Sequence, residues 1–96
     1  MGEHLSYKYN DDQDEFSVYF ESRTKQFSIS RYVRSSECIY KSDYSHLVQY
    51  AQTKGATESP WDFLKKEFAE GRGPEFSKWV IENVPVGHID SDYFQF

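Results

Sequence analysis

The chain has 96 residues, a formal net charge of −5 and one cysteine, Cys38. These numbers leave room for a single core, exclude an internal disulfide framework and multi-cysteine zinc sites, and argue against a bulk electrostatic grip on nucleic acid or anionic lipid. Eighteen aromatic residues against seventeen aliphatic ones (Ala, Val, Ile, Leu, Met) mean that Phe and Tyr must fill space that Leu and Val usually fill.

The first half of the chain reads in twos. Leu5, Tyr7 and Tyr9 alternate with His4, Ser6 and Lys8; Phe16, Val18 and Phe20 alternate with Ser17, Tyr19 and Glu21; Phe27 and Ile29 alternate with Ser28 and Ser30. This is the period of half-buried strands. Pairing Tyr9 with Phe16, Tyr7 with Val18 and Leu5 with Phe20 leaves residues 10–15 as the first loop. Pairing Phe20 with Phe27 and Val18 with Ile29 leaves a turn of two residues, Arg23-Thr24, or of four without changing faces. A three-residue loop without a bulge would send one apolar set into water. A fourth short strand is expected from Glu37 to Ser42, after a turn at Ser35-Ser36.

From Asp43 the period lengthens. Tyr44, Leu47, Val48 and Ala51 share a helical face, with Asp43 placed to cap its start and Gly55 to stop it. Ser59-Pro60-Trp61-Asp62 is the strongest helix start in the chain: Ser59 can cap, Pro60 suits the first helical position, and Asp62 takes the place of the usual capping-box Glu. Trp61, Leu64 and Phe68 form the inward stripe of this second helix, which ends at Gly71. A third helix opens at Pro74, carries Phe76, Trp79, Val80 and Asn83 along one side, and stops before Pro85. Residues 87–96 are expected to be an extended tail. The fold class is α+β, one domain over residues 1–96, with a three- to four-stranded antiparallel meander packed by two or three C-terminal helices. The expected core is Leu5, Tyr7, Phe16, Val18, Phe20, Phe27, Ile29, Leu47, Val48, Trp61, Leu64, Phe68, Trp79 and Val80.

Few chemistry-bearing patterns emerge. Asn10, Asp12 and Asp14 fall at positions 1, 3 and 5 of a calcium loop and Glu21 at position 12, but Glu15 stands where the sharp turn needs Gly, so a solvated hairpin loop is expected. His4, His46 and His88 lack metal-ligand spacing, and neither a metal nor a cofactor is expected. Cys38 with His46 is the weakest option, because Cys38 lies in a strand and a small buried thiol is commoner than a nucleophile.

Arg23, Lys25, Arg31, Arg34 and Lys41 form a basic stretch interleaved with Phe27, Tyr32 and Tyr40. An aromatic sheet face with flanking cations is how single-strand binders stack bases, which makes Tyr19, Arg31, Tyr32 and Arg34 a candidate nucleic-acid site. Against this, residues 42–96 hold nine acids and five cations, and the loop at 10–15 adds further acids. Such asymmetry favours steering toward a basic protein surface. The first expectation is therefore a non-enzymatic interaction protein that inhibits or sequesters a larger basic partner, possible contacts being Asp11, Asp12, Asp14, Glu15, Tyr19, Tyr32 and the terminal Tyr93, Phe94 and Phe96. The spaced acids would imitate phosphates if that partner handles nucleic acid. Virus-encoded inhibitors of host defence and immunity proteins share this character as a class. The polar opening MGEHLSYKYNDD has no signal-peptide core, and no apolar run reaches the ~18 residues of a membrane span, so a cytoplasmic location (host cytoplasm for a viral protein) without membrane partners is expected.

Overall fold

Residues 2–33 and 36–89 are described by a computed structural model. In chain order they form β1 (Gly2–Tyr9), β2 (Asp14–Glu21), β3 (Gln26–Val33), β4 (Ser36–Tyr40), α1 (Tyr44–Thr53), α2 (Pro60–Ala69), α3 (Gly73–Asn83) and β5 (Val86–Ile89). The strands make one antiparallel sheet in sequential order, and the three helices follow the first four strands.

The β2–β3 register is the expected one, with Phe20 opposite Phe27 and Val18 opposite Ile29. The strands end at Glu21 and Gln26, so the turn is the four-residue form. The β1–β2 register keeps the expected faces but slides by two residues, pairing Tyr7 with Phe16 and Leu5 with Val18. The cause lies in the turn. Asn10, Asp11 and Asp12 all adopt left-handed backbone, with φ of 55, 58 and 64°, a conformation that Asn and Asp tolerate better than other non-glycine residues. The loop therefore closes over residues 10–13, and Asp14 and Glu15 join the ladder opposite Tyr9 and Lys8. The Lys8–Glu15 pair places opposite charges across the strands, which favours this register over the longer loop.

The expected tail begins instead as a fifth strand. Pro85 ends the helical run and its carbonyl accepts the Lys41 N–H at 2.8 Å; Val86 then pairs with Tyr40, and residue 88 with Ile39. Gly87 is the extra residue of the irregularity between these pairs, where a Cβ would stand 3.2 Å from the Lys41 nitrogen. The pairing covers an edge that β4 would otherwise leave open. The rest of the expected tail, residues 90–96, lies outside the described residues.

Asp43 caps α1, its carboxylate accepting the Ser45 N–H at 2.9 Å while His46 Nδ1 accepts the Asp43 N–H at 3.1 Å. This is a capping box with His in the place of Glu. Ser59 precedes α2, but its hydroxyl donates to the Asp62 carboxylate at 2.8 Å and makes no side-chain bond to the backbone. Gly55 and Gly71 follow α1 and α2 with φ of 70 and 80°, the left-handed stop that glycine adopts without strain.

One face of the sheet, here the inner face, meets all three helices. Phe16, Val18, Phe20, Phe27 and Ile29 from the sheet are buried against Leu47, Tyr50, Trp61, Leu64, Phe76 and Val80. Cys38, Tyr40, Tyr50 and Phe76 are buried core residues beyond the expected set, while Leu5, Tyr7, Phe68 and Trp79 pack against the core as partly buried residues. Val48 is only half-buried, the buried side of α1 being Leu47, Tyr50 and Ala51.

Burial raises the hydroxyl pKa of Tyr9, Tyr40 and Tyr50 above the ordinary 10.0, and raises the Cys38 thiol above 9.0. Each group stays protonated in the folded chain at a pH where the unfolded chain ionises. The stability they contribute is complete below the unfolded-chain values and is lost as pH rises through 9 and 10 toward the folded ones. We expect the last part of the tyrosinate absorbance, that of the buried rings, to appear together with loss of helical circular dichroism in an alkaline titration. Ionisation of all eight tyrosines before any unfolding would contradict this burial.

Candidate partner-binding surface

The period of two that buries one face of the sheet exposes the other. Opposite residues of an antiparallel ladder share a face, so the outer face can be followed strand by strand. It carries His4, Ser6 and Lys8 from β1, Glu15, Ser17, Tyr19 and Glu21 from β2, Ser28, Ser30 and Tyr32 from β3, and Glu37 and Ile39 from β4. Among the described residues, the helices pack on the inner face alone.

Tyr19 pairs with His4 on one side and Ser28 on the other. Its half-buried ring lies over Gly2, where a Cβ would collide with it. Tyr32 lies four residues further along β3 than Ser28, about 13 Å at strand rise. Between the two tyrosines run the hydroxyl-bearing pairs Ser6–Ser17 and Ser17–Ser30, with His4 Nε2 and the Ser17 hydroxyl 2.9 Å apart. The middle of the outer face is thus a floor of small polar side chains with one tyrosine toward each end.

Electrostatics give this face its sign. Tyr32 stands directly opposite Glu15 on β2 and Glu37 on β4. The Glu37 carboxylate is the first cause of a raised Tyr32 hydroxyl pKa, followed by loss of solvent. Glu15, Glu21 and Glu37 outnumber Lys8, the one lysine or arginine on the paired outer positions of the first four strands.

The basic stretch does not assemble here. Arg31 pairs with Phe16 and Cys38, which are buried on the inner face, so it points away from Tyr32. Lys25 extends its ammonium over the rings of Phe20 and Tyr44. Arg23 is exposed in the β2–β3 turn, and Lys41 follows β4. Arg34 lies outside the described residues, as do Tyr93, Phe94 and Phe96. Of the described members of the nucleic-acid set, Tyr19 and Tyr32 share a face and Arg31 does not, and adjacent glutamates oppose a phosphate backbone there. The alternation of period two already assigned Arg31 to the face of Ile29; grouping cations by proximity in sequence obscured this.

The acids of the first loop also separate. Asp11 and Asp12 are exposed at the turn, and Glu15 joins the outer face. Asp14, expected to be a solvated contact, is buried at the start of β2 on the inner side and accepts a hydrogen bond from Asn10 Nδ2 at 3.2 Å. Entry into the ladder opposite Tyr9 and Val33 takes it out of any phosphate-like row with Asp11 and Asp12. Among the described residues, no group of three His, Cys, Asp or Glu side chains is arranged to hold a metal ion, and no helix is long and apolar enough to cross a membrane.

Cys38 and His46 have structural surroundings. Cys38 is fully buried and its thiol is pushed up by burial, which opposes the thiolate that a nucleophile requires. His46 commits Nδ1 to the α1 cap. Comparison with family models, curated proteins and solved structures returned no match.

Proposed function

We propose that this chain is a small, non-enzymatic interaction protein that docks the outer face of its sheet onto a basic surface of a larger protein, inhibiting or sequestering that partner. The observation that carries the proposal is the setting of Tyr32, an aromatic side chain with a glutamate directly across each neighbouring strand. Tyrosine supplies contact area at low entropic cost and is enriched at interface hot spots. The carboxylates select a cationic counterpart and speed encounter. The net charge of −5 acts in the same direction. The alternative, a single-strand nucleic-acid binder, keeps two tyrosines, but among the described residues Lys8 is the one lysine or arginine on their face.

The test is affinity capture with the wild-type chain and with a Glu15→Lys/Glu37→Lys variant, followed by binding measurements on the purified captured protein. We expect the charge reversal to weaken binding at least tenfold, about 1.4 kcal/mol, with the larger change in association rate and a weaker salt dependence. Tyr32→Ala is expected to cost more than ~1 kcal/mol, mainly through faster dissociation. Equal affinity of all three chains would remove the outer face from the interface. Saturable binding of a labelled single-stranded oligonucleotide at low salt, lost in Tyr19→Ala/Tyr32→Ala, would establish the alternative instead.

A further inference from the structure

A second feature lies on the helix-bearing side of the sheet and does not rest on the role proposed for the outer face. A cavity of about 230 Å³ opens where the β2–β3 turn meets the first turns of α1 and α2. Its aromatic wall is a run of three rings: Phe20 stacks on Trp61 with centroids 5.0 Å apart and on Tyr44 at 5.7 Å. Glu3 and Asp62 line the same cavity. Trp61 Nε1 donates to Glu3 Oε2 at 2.8 Å, which fixes that carboxylate beside the rings. Lys65 lies 3.5 Å from Glu3 and 3.4 Å from Asp62 and holds the two acids together.

The recess already holds an ammonium group, that of Lys25. Lys25 Nζ sits 5.3 Å from the centroid of the Tyr44 ring and 5.8 Å from that of Phe20. The faces of these rings carry negative electrostatic potential and attract cations. Lys25 reaches them from a turn position of left-handed backbone, φ 59°, and is itself exposed. An exposed cation over a ring is a weak contact, so Lys25 is a displaceable occupant that reveals which chemistry the rings accept.

We propose that this recess receives the ammonium group of a lysine presented by a partner protein, which takes the place of Lys25 over Phe20 and Tyr44. The carboxylates of Glu3 and Asp62 complement such a group, and the acid excess of the chain favours a basic partner. Lys25 then acts as an internal competitor that lowers the affinity of the recess for external cations.

The side-chain N–H of Trp61 gives a local readout. In ¹H–¹⁵N spectra the two indole resonances are assigned with Trp79→Phe, and the wild type and Lys25→Asn are titrated with acetyl-Gly-Lys-Gly-amide, its norleucine counterpart and tetramethylammonium chloride. Asparagine suits the left-handed turn position, and Lys25→Gln, which keeps most of the stem without the charge, serves as the second variant. We expect the lysine peptide to move the Trp61 resonance saturably, about two- to fivefold more tightly in both variants than in wild type. The Trp79 resonance should stay in place. An equal response to the norleucine peptide, equal affinity of wild type and variants, or a response to tetramethylammonium alone would each overturn the assignment to a partner lysine. None of these outcomes bears on Glu15, Tyr32 or Glu37.

Discussion

Replacing Phe76 by alanine is expected to lower the free energy of unfolding by about 3–5 kcal/mol, the range for emptying a large aromatic site. Phe76 is wholly buried and its ring touches every layer of the molecule. It meets Phe16 of β2 edge-on at 5.9 Å, Tyr50 of α1 at 4.8 Å and 73°, Phe68 of α2 at 6.3 Å, and Trp79 within α3 at 6.3 Å. Aromatic pairs of this kind add to the burial of area, so the loss combines a cavity with several ring contacts. Against a typical total of ~5–15 kcal/mol, this one change removes a large share of the stability. Phe76→Leu keeps much of the volume and is expected to cost well under half as much. Ile81→Ala, on the exposed side of the same helix at 52% exposure, should stay within ~0.5 kcal/mol. Urea denaturation followed by circular dichroism gives all three values. A Phe76→Ala midpoint no lower than that of Ile81→Ala would mean that the rings do not pack as described.

Phe76 also shows where sequence periodicity loses resolution. The α3 stripe of Phe76, Trp79 and Val80 was legible, and so were the α+β class, the alternation of the first three strands, the β2–β3 register and the start of α1 at Asp43. A stripe, however, does not rank its members by depth. Phe76 and Val80 point at the sheet, while the wide Trp79 ring lies at the margin against Tyr50. On α1 the spacing from Tyr44 through Leu47 to Val48 and Ala51 passed over Tyr50, which is buried with Leu47 and Ala51. Burial of Tyr50 is satisfied by Glu67 on another helix, which accepts a hydrogen bond from its hydroxyl, a partner seventeen residues away that no local pattern reveals.

The candidate surface was legible in part for similar reasons. Alternation alone places Tyr19 and Tyr32 on the face opposite Phe20 and Ile29. Their surroundings required register. The β2–β3 register sets Glu15 opposite Tyr32 once the shortened first turn has brought Glu15 into β2, and Glu37 reaches it across β3–β4. These two pairings turn an apparently basic-aromatic region into an acidic one. The recess at Trp61 was least accessible, since it joins β1, the β2–β3 turn and the first turns of two helices, segments with no common motif.

Glu67 carries the second large expected effect. It sits on the buried side of α2, 3% exposed, where an unpaired carboxylate would be costly. Two groups from outside the helix satisfy it. The Tyr50 hydroxyl donates from α1 at 3.3 Å, and Arg72, at the junction of α2 and α3, donates through Nε while its Nη2 reaches Glu70 at 2.6 Å. The cluster therefore ties all three helices together at one point. Arg72→Ala leaves the buried carboxylate with only a neutral donor and should lower the urea midpoint, though by less than loss of a fully buried pair because Arg72 is 38% exposed. Glu67→Ala strands the Tyr50 hydroxyl and opens a gap, for about 2–3 kcal/mol. Glu67→Gln keeps an acceptor for Tyr50 and should cost less than either. The decisive comparison, made in a Tyr50→Phe background so that no hydroxyl is stranded, is Glu67→Leu/Arg72→Leu against Arg72→Ala; the double change removes both charges and fills the space. Replacement of a buried pair by apolar groups is often close to neutral, so this double variant should unfold later in urea than Arg72→Ala despite carrying the larger change. Additive losses in the double variant would mean that Glu67 and Arg72 act independently and that the junction of the helices is held by the aromatic rings alone.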